Sequence, residues 1–528
     1  MLRKFNGYTF TSIIITLLII TPIFILFIYS FNGSSDTLDH LKQTVLSTYI
    51  LNTLKLIFFV SVFCLIFGIF SAYLTVFYNF RFSSFFIFLL PLPFVIPTYI
   101  LGYIYSDILG FFGPVHIFLR DIGFLKGQFF DVLNFNSLAI IMALGLYPYI
   151  YLIVKSSFLK NSATLLNPAL SLGKNKFELF FKIILPLSRP AIIGSLSLVI
   201  MECVNEYGAV AYYGVDTLST AIYSTWFGMN DPKSSAFLSV IAMSIIFILL
   251  IIEKFSRGKS SYKSEESIKE IKKEQLKGLK KYFAYIFLLI PITFGFIIPF
   301  IWIVYYSFKY AIDVIDEEFF EVIINSFIGS SISAMIIVLL ALFITYSVRI
   351  NNNIYMKYLT KVAGVGYAIP GVVIGVGVLS FLGDLDNYLI QNFSFNELIF
   401  SGTIFALVFG YMVRFLAVGL NMCESSFERT SININKASRN LGMNYWQTLL
   451  KVEFPIMKKT LLFGFLLVFV DVIKELPLTL VLRPFNYETL SSKTYEYAGN
   501  TMIQESSIYA LCIVIICFIP VILSNKGN

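Results

Sequence analysis

The chain has 528 residues, of which 57% are hydrophobic and only 13% are charged, and its mean hydropathy is +0.80. A soluble protein of this length could not bury so much apolar surface, so the composition excludes the soluble classes. The formal net charge of +8 does not indicate nucleic-acid binding. The basic residues lie in loops between apolar runs, which is the positive-inside pattern of membrane proteins.

Apolar runs of about 20 residues, the length that crosses a bilayer as a helix, recur along the whole chain. The first follows basic residues, as in a signal peptide, but it is too long and lacks a clear cleavage site, so we expect it to be retained. The sequence therefore predicts an all-α polytopic membrane protein with about twelve transmembrane helices. The predicted spans are 11–31, 53–78, 84–107, 137–158, 187–210, 235–252, 282–308, 325–348, 358–381, 402–422, 457–481 and 507–524.

The distribution of charge predicts the orientation of these spans. The loop 155–189 carries six basic residues against one acid, and the segment 253–281 is richer still in lysine, so both belong in the cytoplasm. The segment 309–323 carries five acids and belongs outside. Both termini are then cytoplasmic. The segment 253–281 has no long apolar run, and we expect a mobile, partly helical tether.

The two halves of the chain repeat the same landmarks at the same spacings. In each half an asparagine precedes a proline by 45 residues, a glycine precedes a second proline by 13, and that proline precedes a glutamate by 20. The landmarks are Asn52, Pro97, Gly173, Pro186 and Glu206 in the first half and Asn325, Pro370, Gly442, Pro455 and Glu475 in the second. We interpret them as a duplicated six-span unit: a first unit 1–252, a basic cytoplasmic linker 253–281 and a second unit 282–528. Because six is even, both units insert the same way up, as parallel repeats do.

A charged, amphipathic stretch interrupts the apolar pattern once in each half. The first elbow, "LGKNKFELFFKIILP" (172–186), and the second elbow, "LGMNYWQTLLKVEFP" (441–455), both lie on the predicted cytoplasmic side. The glycine near the start can turn the chain, and the proline at the end suits the first turn of the next helix. A single copy could be an interfacial connector, but two copies in the same register favour a docking role.

This pair resembles the EAA loop of bacterial ABC importer permeases, whose pattern is Glu-Ala-Ala, three residues, Gly, and a stretch ending in Leu-Pro. The two copies here begin "NPALSLG" and "KASRNLG", so the family's glutamate is replaced by Asn167 and Lys436. The resemblance implies that both elbows bind a cytoplasmic ATPase dimer, which carries the ATP and Mg²⁺. The residues that it assigns to coupling are Asn167, Ala169, Gly173, Pro186, Ala437, Ser438, Gly442 and Pro455.

Nearly the whole chain is similar to the fused, two-unit permeases of ferric-iron ABC importers. The stretches that carry this similarity are 205–231, 471–498, 146–152 and 411–418. It implies the type I ABC importer permease fold, a bacterial inner-membrane location, Fe(III) as the transported substrate, and an extracytoplasmic iron-binding protein. That protein would dock on outer loops near 108–136, 211–234 and 482–506. Fused thiamine permeases share the general plan, so thiamine or another small cation stays open. An ion-coupled secondary transporter is the alternative from another class.

Four acidic residues fall within or near the predicted spans. Glu202 and Glu206 are four residues apart, which on one helix places them on a shared face, and Asp471 and Glu475 are their counterparts. Carboxylates at membrane depth normally face a cavity or a partner, and hard oxygen ligands suit Fe(III). They either line a cation path or pair with Lys474, Arg414 or backbone groups.

Other chemistry receives little support from the sequence. The five cysteines show no paired spacing typical of a metal site or a disulfide framework, and the two histidines argue against a histidine-built metal site or a haem. No phosphate-binding loop of the Gly-x-x-x-x-Gly-Lys-Ser/Thr type occurs. We therefore expect a transport subunit that is not an enzyme and has no cofactor of its own.

Overall fold

In the computed structural model the described residues are 7–31, 35–124, 131–171, 179–257, 273–351, 354–393, 395 and 397–526, with side chains described except in 161–171, 256–257 and 521–526. These residues are almost entirely helical. The elements up to residue 257 are Gly7–Phe31, Asp36–Thr44, Leu46–Phe77, strand Tyr78–Asn79, Ser83–Leu89, the 3₁₀ turn Leu92–Val95, Thr98–Ile108, Pro114–Asp121, Phe135–Ser171, the π turn Phe180–Ile184, Leu185–Leu187, Arg189–Asn205, Gly208–Tyr212, Leu218–Tyr223, the π turn Ser224–Gly228 and Pro232–Arg257.

The elements after residue 272 are likewise nearly all helices. They are strand Glu274–Gln275, Leu279–Ile292, the π turn Thr293–Ile297, Ile298–Val314, Glu317–Asn351, Ile354–Ala363, the 3₁₀ turn Val365–Ala368, Gly371–Phe393, Ile404–Arg429, Ile432–Asn440, Tyr445–Thr448, the π turn Leu449–Glu453, Phe454–Ile473, Pro477–Leu482, Leu490–Gly499 and Ile503–Lys526.

Within the described ranges, nine helices are long and apolar enough to cross a membrane, and two bent helix pairs raise this number to as many as eleven. The eleventh predicted span, 457–481, corresponds to helix Phe454–Ile473, which carries Lys458, Lys459 and Asp471 and is absent from that set. The all-α polytopic class that the sequence predicts is therefore confirmed.

Two predicted spans are wrong in detail because a proline interrupts each of them. The predicted continuous helix over 84–107 bends by 91° between Ser83–Val95 and Thr98–Ile108. In the second half, 358–381 is not one helix, since the apolar helix begins only at Gly371. The residues before Pro97 and Pro370 are extended, with φ/ψ of −95°/114° and −93°/135°, because a proline disfavours the helical conformation in its predecessor.

The chain forms two compact units that do not follow the two halves of the sequence. The first unit contains 1–41, 221–241 and 315–495, and the second contains 42–220, 242–314 and 496–528. The first helix of each half is thus grouped with most of the other half. The division at 252 and 282, which follows the sequence repeat, stays a prediction about repeated units.

Close helix packing in the first unit depends on small residues. Helix Gly7–Phe31 packs against helix Gly371–Phe393, where a Cβ atom on Gly377 would lie 2.7 Å from the carbonyl oxygen of Pro22. The hydroxyl of Ser12 also donates to the hydroxyl of Ser347 over 2.8 Å. The chain's first helix is therefore held by both backbone contact and a buried hydrogen bond.

The second unit packs helix Leu46–Phe77 against helix Phe135–Ser171, and it also holds the end of the linker. Strand Glu274–Gln275 pairs in parallel with strand Tyr78–Asn79, and the Lys273 ammonium donates to the carbonyl of Thr75 over 3.0 Å. Burial lowers the pKa of Lys273. The expectation of a mobile tether is wrong for this end of the linker, because backbone pairing fixes it; 258–272 lie outside the described residues.

Candidate functional site

The second elbow turns on a glycine with a left-handed backbone. The short helix Ile432–Asn440 begins at Ser431, whose hydroxyl accepts from the Asn433 amide, and the chain reverses at Gly442 with φ +89°. The Gly442 and Met443 amides donate to carbonyls of the short helix over 3.0 and 3.2 Å. A Cβ atom at Gly442 would meet no atom within 4 Å. The glycine is therefore required by the backbone conformation and not by space.

The elbow has two arms, the short helix Ile432–Asn440 before Gly442 and the helical segment from Tyr445 after it, and a capping box starts the second arm. The side chain of Asn444 accepts from the Gln447 amide over 2.8 Å, and the Gln447 side chain accepts from the Asn444 amide over 3.0 Å. This reciprocal pair satisfies the free donors at a helix start. The arm then runs through a π turn, and Pro455 is the second residue of the next helix, Phe454–Ile473.

Side chains close the two arms onto each other. The hydroxyls of Ser438 and Thr448 lie 3.0 Å apart, and the guanidinium of Arg439 lies 3.7 Å from the centre of the Tyr445 ring. Ser438 and Thr448 are both buried. Ser438, which the resemblance assigns to coupling, therefore holds the elbow together and is not part of its surface, whereas Ala437 and Gly442 are exposed.

The outer surface of the second elbow is apolar. Leu441 is 83% exposed, Trp446 49% and Leu450 46%. Exposed apolar residues on a rigid turn are typical of a site that binds another protein. We call Leu441, Trp446 and Leu450 the elbow tip.

A buried ion pair supports this elbow from beneath. Glu453 is fully buried, and the Arg349 Nε lies 3.2 Å from its carboxylate, which also accepts from the Asn435 amide group over 3.2 Å. Arg349 donates further to the carbonyls of Phe427 and Thr430 over 2.6 and 3.0 Å. Charges taken out of water persist only when paired and hydrogen-bonded in this way. The elbow is thus fixed to the end of helix Glu317–Asn351.

The first elbow is described only in part. Gly173 lies outside the described residues, and Asn167 and Ala169 lie in helix Phe135–Ser171 without described side chains. Pro186 is the second residue of helix Leu185–Leu187, as Pro455 is of its own helix. The described part packs on a cluster of aromatic rings.

This aromatic cluster consists of Phe180 with two neighbouring rings. The Phe180 ring centre lies 4.3 Å from that of Tyr73 and 5.9 Å from that of Phe158. Ile184, two residues before the proline, is buried and has the sequence position that Glu453 has in the second elbow. The first elbow therefore has an apolar support where the second has a charged one.

Each pair of membrane-depth acids lies where a helix ends. Helix Arg189–Asn205 stops before Glu206, which has extended φ/ψ, and helix Phe454–Ile473 stops before Glu475. The two acids of a pair therefore do not lie within one continuous helix, although the Glu206 amide still donates to the Glu202 carbonyl over 3.0 Å, one helical turn away. In the second half Pro477 has no amide hydrogen to bond to Ile473, so the helix cannot continue.

Each of the two glutamates at these helix ends is buried and organises the following short helix. Glu206 accepts from the Ala209 amide over 3.0 Å and from the hydroxyl of Thr98. Glu475 accepts from the Leu478 amide over 3.2 Å, and its other oxygen lies 3.2 Å from the Arg414 Nε.

The other two acids also have protein partners. Asp471 lies 2.8 Å from the Lys474 ammonium, and Glu202 accepts from the Tyr149 hydroxyl over 3.2 Å. These contacts match the pairing alternative for three of the four acids. Among the described residues, no group of three or more His, Cys, Asp or Glu side chains is arranged to hold a metal ion. Substrate contact by these acids stays a prediction.

Sequence reasoning missed the residues that fix the loops. Arg349, Asn435 and Glu453 are distant in sequence, and nothing in their local pattern indicates that they meet. Asp386 is 1% exposed and accepts from the amides of Ile399, Phe400 and Ser401, the last over 2.7 Å. The one available signal was an acidic residue inside an apolar run, which predicts a buried partner.

Comparison with known proteins gives matches over most of the chain. A family model described as binding-protein-dependent transport system inner membrane component matches residues 64–253 and 337–526. The Fe(3+)-transport system permease protein FbpB 2 of Haemophilus influenzae is 26% identical over 94% of this chain and 92% of that protein. The ferric transport system permease protein FbpB of Actinobacillus pleuropneumoniae is 23% identical over 70% of this chain and 55% of that protein. The spermidine/putrescine transport system permease protein PotB of Haemophilus influenzae is 27% identical over 44% of this chain and 82% of that protein.

Proposed function

Because the chain belongs to the family of binding-protein-dependent transport system inner membrane components, we propose that it forms the path by which an ABC importer carries ferric iron into a bacterial cell. It is a multi-pass membrane protein and a transport component of that importer. The observation that carries the proposal is the second elbow, a closed and capped turn with an exposed apolar tip on a polytopic membrane protein. Such a turn offers an ATPase subunit a preformed binding surface.

In this proposal the ATPase moves the permease by pushing on the elbows. A separate cytoplasmic ATPase dimer binds ATP and Mg²⁺, and its closure displaces the elbow tip. The Arg349–Glu453 pair then passes the displacement to helix Glu317–Asn351, because breaking a buried ion pair costs several kcal/mol, on the order of 3–5. ATP shifts the equilibrium only through contacts that differ between the inward-open and outward-open states.

An extracytoplasmic binding protein delivers Fe(III) to the outer surface in this proposal. Its docking surface comprises the outer loops near 108–136, 211–234 and 482–506, with the acidic segment 309–323 as a further candidate. Within the last of these loops the structure has an ordered helix, Leu490–Gly499. In the predicted orientation, both termini of the chain lie in the cytoplasm.

Ferric iron is the cargo that the relatives covering most of this chain support. The Fe(3+)-transport permease FbpB 2 aligns with 94% of this chain, and the ferric permease of Actinobacillus pleuropneumoniae aligns with 70%. The carboxylates Glu202, Glu206, Asp471 and Glu475 are hard oxygen donors of the kind that Fe(III) prefers. Thiamine or another small cation is the competing cargo.

Uptake into reconstituted vesicles tests the cargo. Vesicles would contain this chain with its partner ATPase, and ATP would be supplied on the ATPase side of the membrane. The binding protein and radioactive Fe(III) would be added on the opposite side. We expect ATP-dependent iron accumulation that excess thiamine and spermidine leave unchanged. Accumulation of labelled thiamine or spermidine, with none of iron, would refute the ferric proposal while keeping the importer. Uptake that needs an ion gradient and no ATPase would refute both.

A further inference from the structure

A cleft of about 370 Å³ lies beside the second elbow and has charged walls of both signs. One wall is helix Ile354–Ala363, which contributes Lys357 and Lys361. The opposite wall is the end of helix Ile404–Arg429, which contributes Glu424 and Glu428. Each pair is four residues apart on its helix, so its members lie one above the other on one face.

The four charges face a shared space without being paired across it. Among the ion pairs of the described residues, none joins these lysines to these glutamates. The third basic residue of the cleft, Arg349, is bound to Glu453 and to backbone carbonyls. The floor is apolar, with Val348, Phe427 and Ile432 among the lining residues. The cleft therefore combines two ammonium groups, two carboxylates and an apolar floor. The Lys361 ammonium also lies 5.9 Å from the centre of the Tyr358 ring.

The predicted orientation places the cleft at the level where the membrane meets the cytoplasm. In the predicted orientation, helix Glu317–Asn351 runs inward and helix Ile404–Arg429 ends inside. The helix that bears the lysines also exposes Tyr355 and Tyr358, which are 69% and 60% exposed. Tyrosines beside lysines are typical of the interfacial belt, where the polar ends of both side chains reach the headgroups.

We propose that this cleft binds the headgroup of phosphatidylethanolamine. The lysines would bind its phosphate, the glutamates would accept from its primary ammonium, and the apolar floor would contact the glycerol and the first methylenes. A volume of several hundred Å³ suits such a ligand. Basic pockets at this depth bind anionic lipids, but Glu424 and Glu428 would repel a headgroup that lacks an ammonium. The proposal depends on the predicted orientation and not on the identity of the cargo.

Lipid retention by the purified full chain tests this site. The protein would be exchanged into detergent with equal amounts of dioleoyl phosphatidylethanolamine, phosphatidylcholine and phosphatidylglycerol, and the bound lipids would be measured by native mass spectrometry. We expect phosphatidylethanolamine to be enriched over both others. Phosphatidylcholine has the phosphate but no N–H donor, and phosphatidylglycerol has no cation. Equal retention of the three lipids, or enrichment of phosphatidylglycerol, would overturn the proposal.

Two double variants separate the two halves of the headgroup. Lys357→Gln with Lys361→Gln should lower binding of phosphatidylethanolamine by at least about tenfold, since the loss of even one charge-assisted hydrogen bond gives that factor. Glu424→Gln with Glu428→Gln should remove its advantage over phosphatidylcholine. The four side chains are exposed, so the fold should survive, which size-exclusion chromatography checks.

A matched control and a competitor complete the experiment. Lys458→Gln with Lys459→Gln removes two exposed lysines of the cytoplasmic side that do not line the cleft, and it should leave retention unchanged. Unchanged retention in both cleft variants would overturn the site. Soluble phosphoethanolamine at millimolar concentration should not displace the lipid, and displacement would overturn the assignment to a membrane lipid.

Discussion

At the scale of single residues, the second elbow depends on residues that set its conformation. Glu453 and Arg349 are buried together beneath the turn, and Gly442 sets the reversal of the chain. The family pattern identifies the glycine, because a left-handed backbone leaves a trace in the sequence. It does not identify the ion pair, since the two charges belong to different helices and only folding brings them together.

We expect Glu453→Ala to destabilise the protein by about 3–5 kcal/mol, because it leaves the Arg349 guanidinium buried without its counter-charge. Arg349→Met combined with Glu453→Met should recover much of this loss, since both charges then disappear. Thermal unfolding in detergent measures the change. Lys451→Ala, an exposed site two residues earlier, should have little effect. A single variant no less stable than its double would contradict the buried-pair account.

We expect Gly442→Ala to strain the elbow by about 1–2 kcal/mol, since a Cβ atom disfavours the left-handed conformation. The protein should still insert and fold, but coupling between ATP hydrolysis and uptake should fall. The ratio of transported iron to hydrolysed ATP in vesicles measures this. Gly464→Ala serves as the control, because its Cβ would meet Met422 only at ordinary contact distance, 3.5 Å. Equal ratios in the two variants would argue against a role for the turn.

At the scale of elements, each predicted helix that was wrong failed at an identifiable residue. Apolar periodicity predicts that a span exists, but Pro97 and Pro370 break the helix where the apolar run continues. Glu206 and Glu475 lie past the ends of their helices, and the carboxylate of each accepts from an amide of the following short helix. After Glu475 that short helix begins at Pro477. Composition alone could not show these breaks, since burial inside the protein allows irregular backbone at membrane depth.

The elbow tip should behave as a protein-binding element. We expect Trp446→Ala with Leu450→Ala to weaken ATPase binding by about 2 kcal/mol or more, the usual effect of removing an aromatic anchor, without lowering the unfolding temperature. Co-purification and titration calorimetry with the proposed partner ATPase measure this. Phe485→Ala, at a site that is 93% exposed on the predicted outer side, is the control. Unchanged binding in the tip variant would remove the tip from the interface.

At the scale of the whole molecule, the family, the fold class and the polytopic membrane character were all predictable from the sequence. The matches of the family model, one in each half, confirm the fused two-unit resemblance. The grouping of the first helix of each half with the other half was not predictable. Sequence repeats record how the gene duplicated, whereas compact units record which helices pack together.

This grouping predicts the behaviour of a divided chain. Fragments 1–257 and 273–528, expressed together, should co-purify and support transport, because each compact unit takes helices from both fragments. Either fragment expressed alone should be degraded. Affinity purification through a tag on one fragment measures the association. Two fragments that are each stable alone and do not associate would show that the sequence halves fold independently.

The unlike supports of the two elbows, Ile184 with Phe180 on one side and Glu453 with Arg349 on the other, have an evolutionary consequence. A permease built from two copies of one polypeptide must accept every substitution twice. A fused chain is free of that constraint, so one elbow can acquire a buried ion pair while the support of the other stays apolar. Identical ATPase subunits would then meet unequal mechanical loads, and the two sides need not yield at the same moment of the transport cycle.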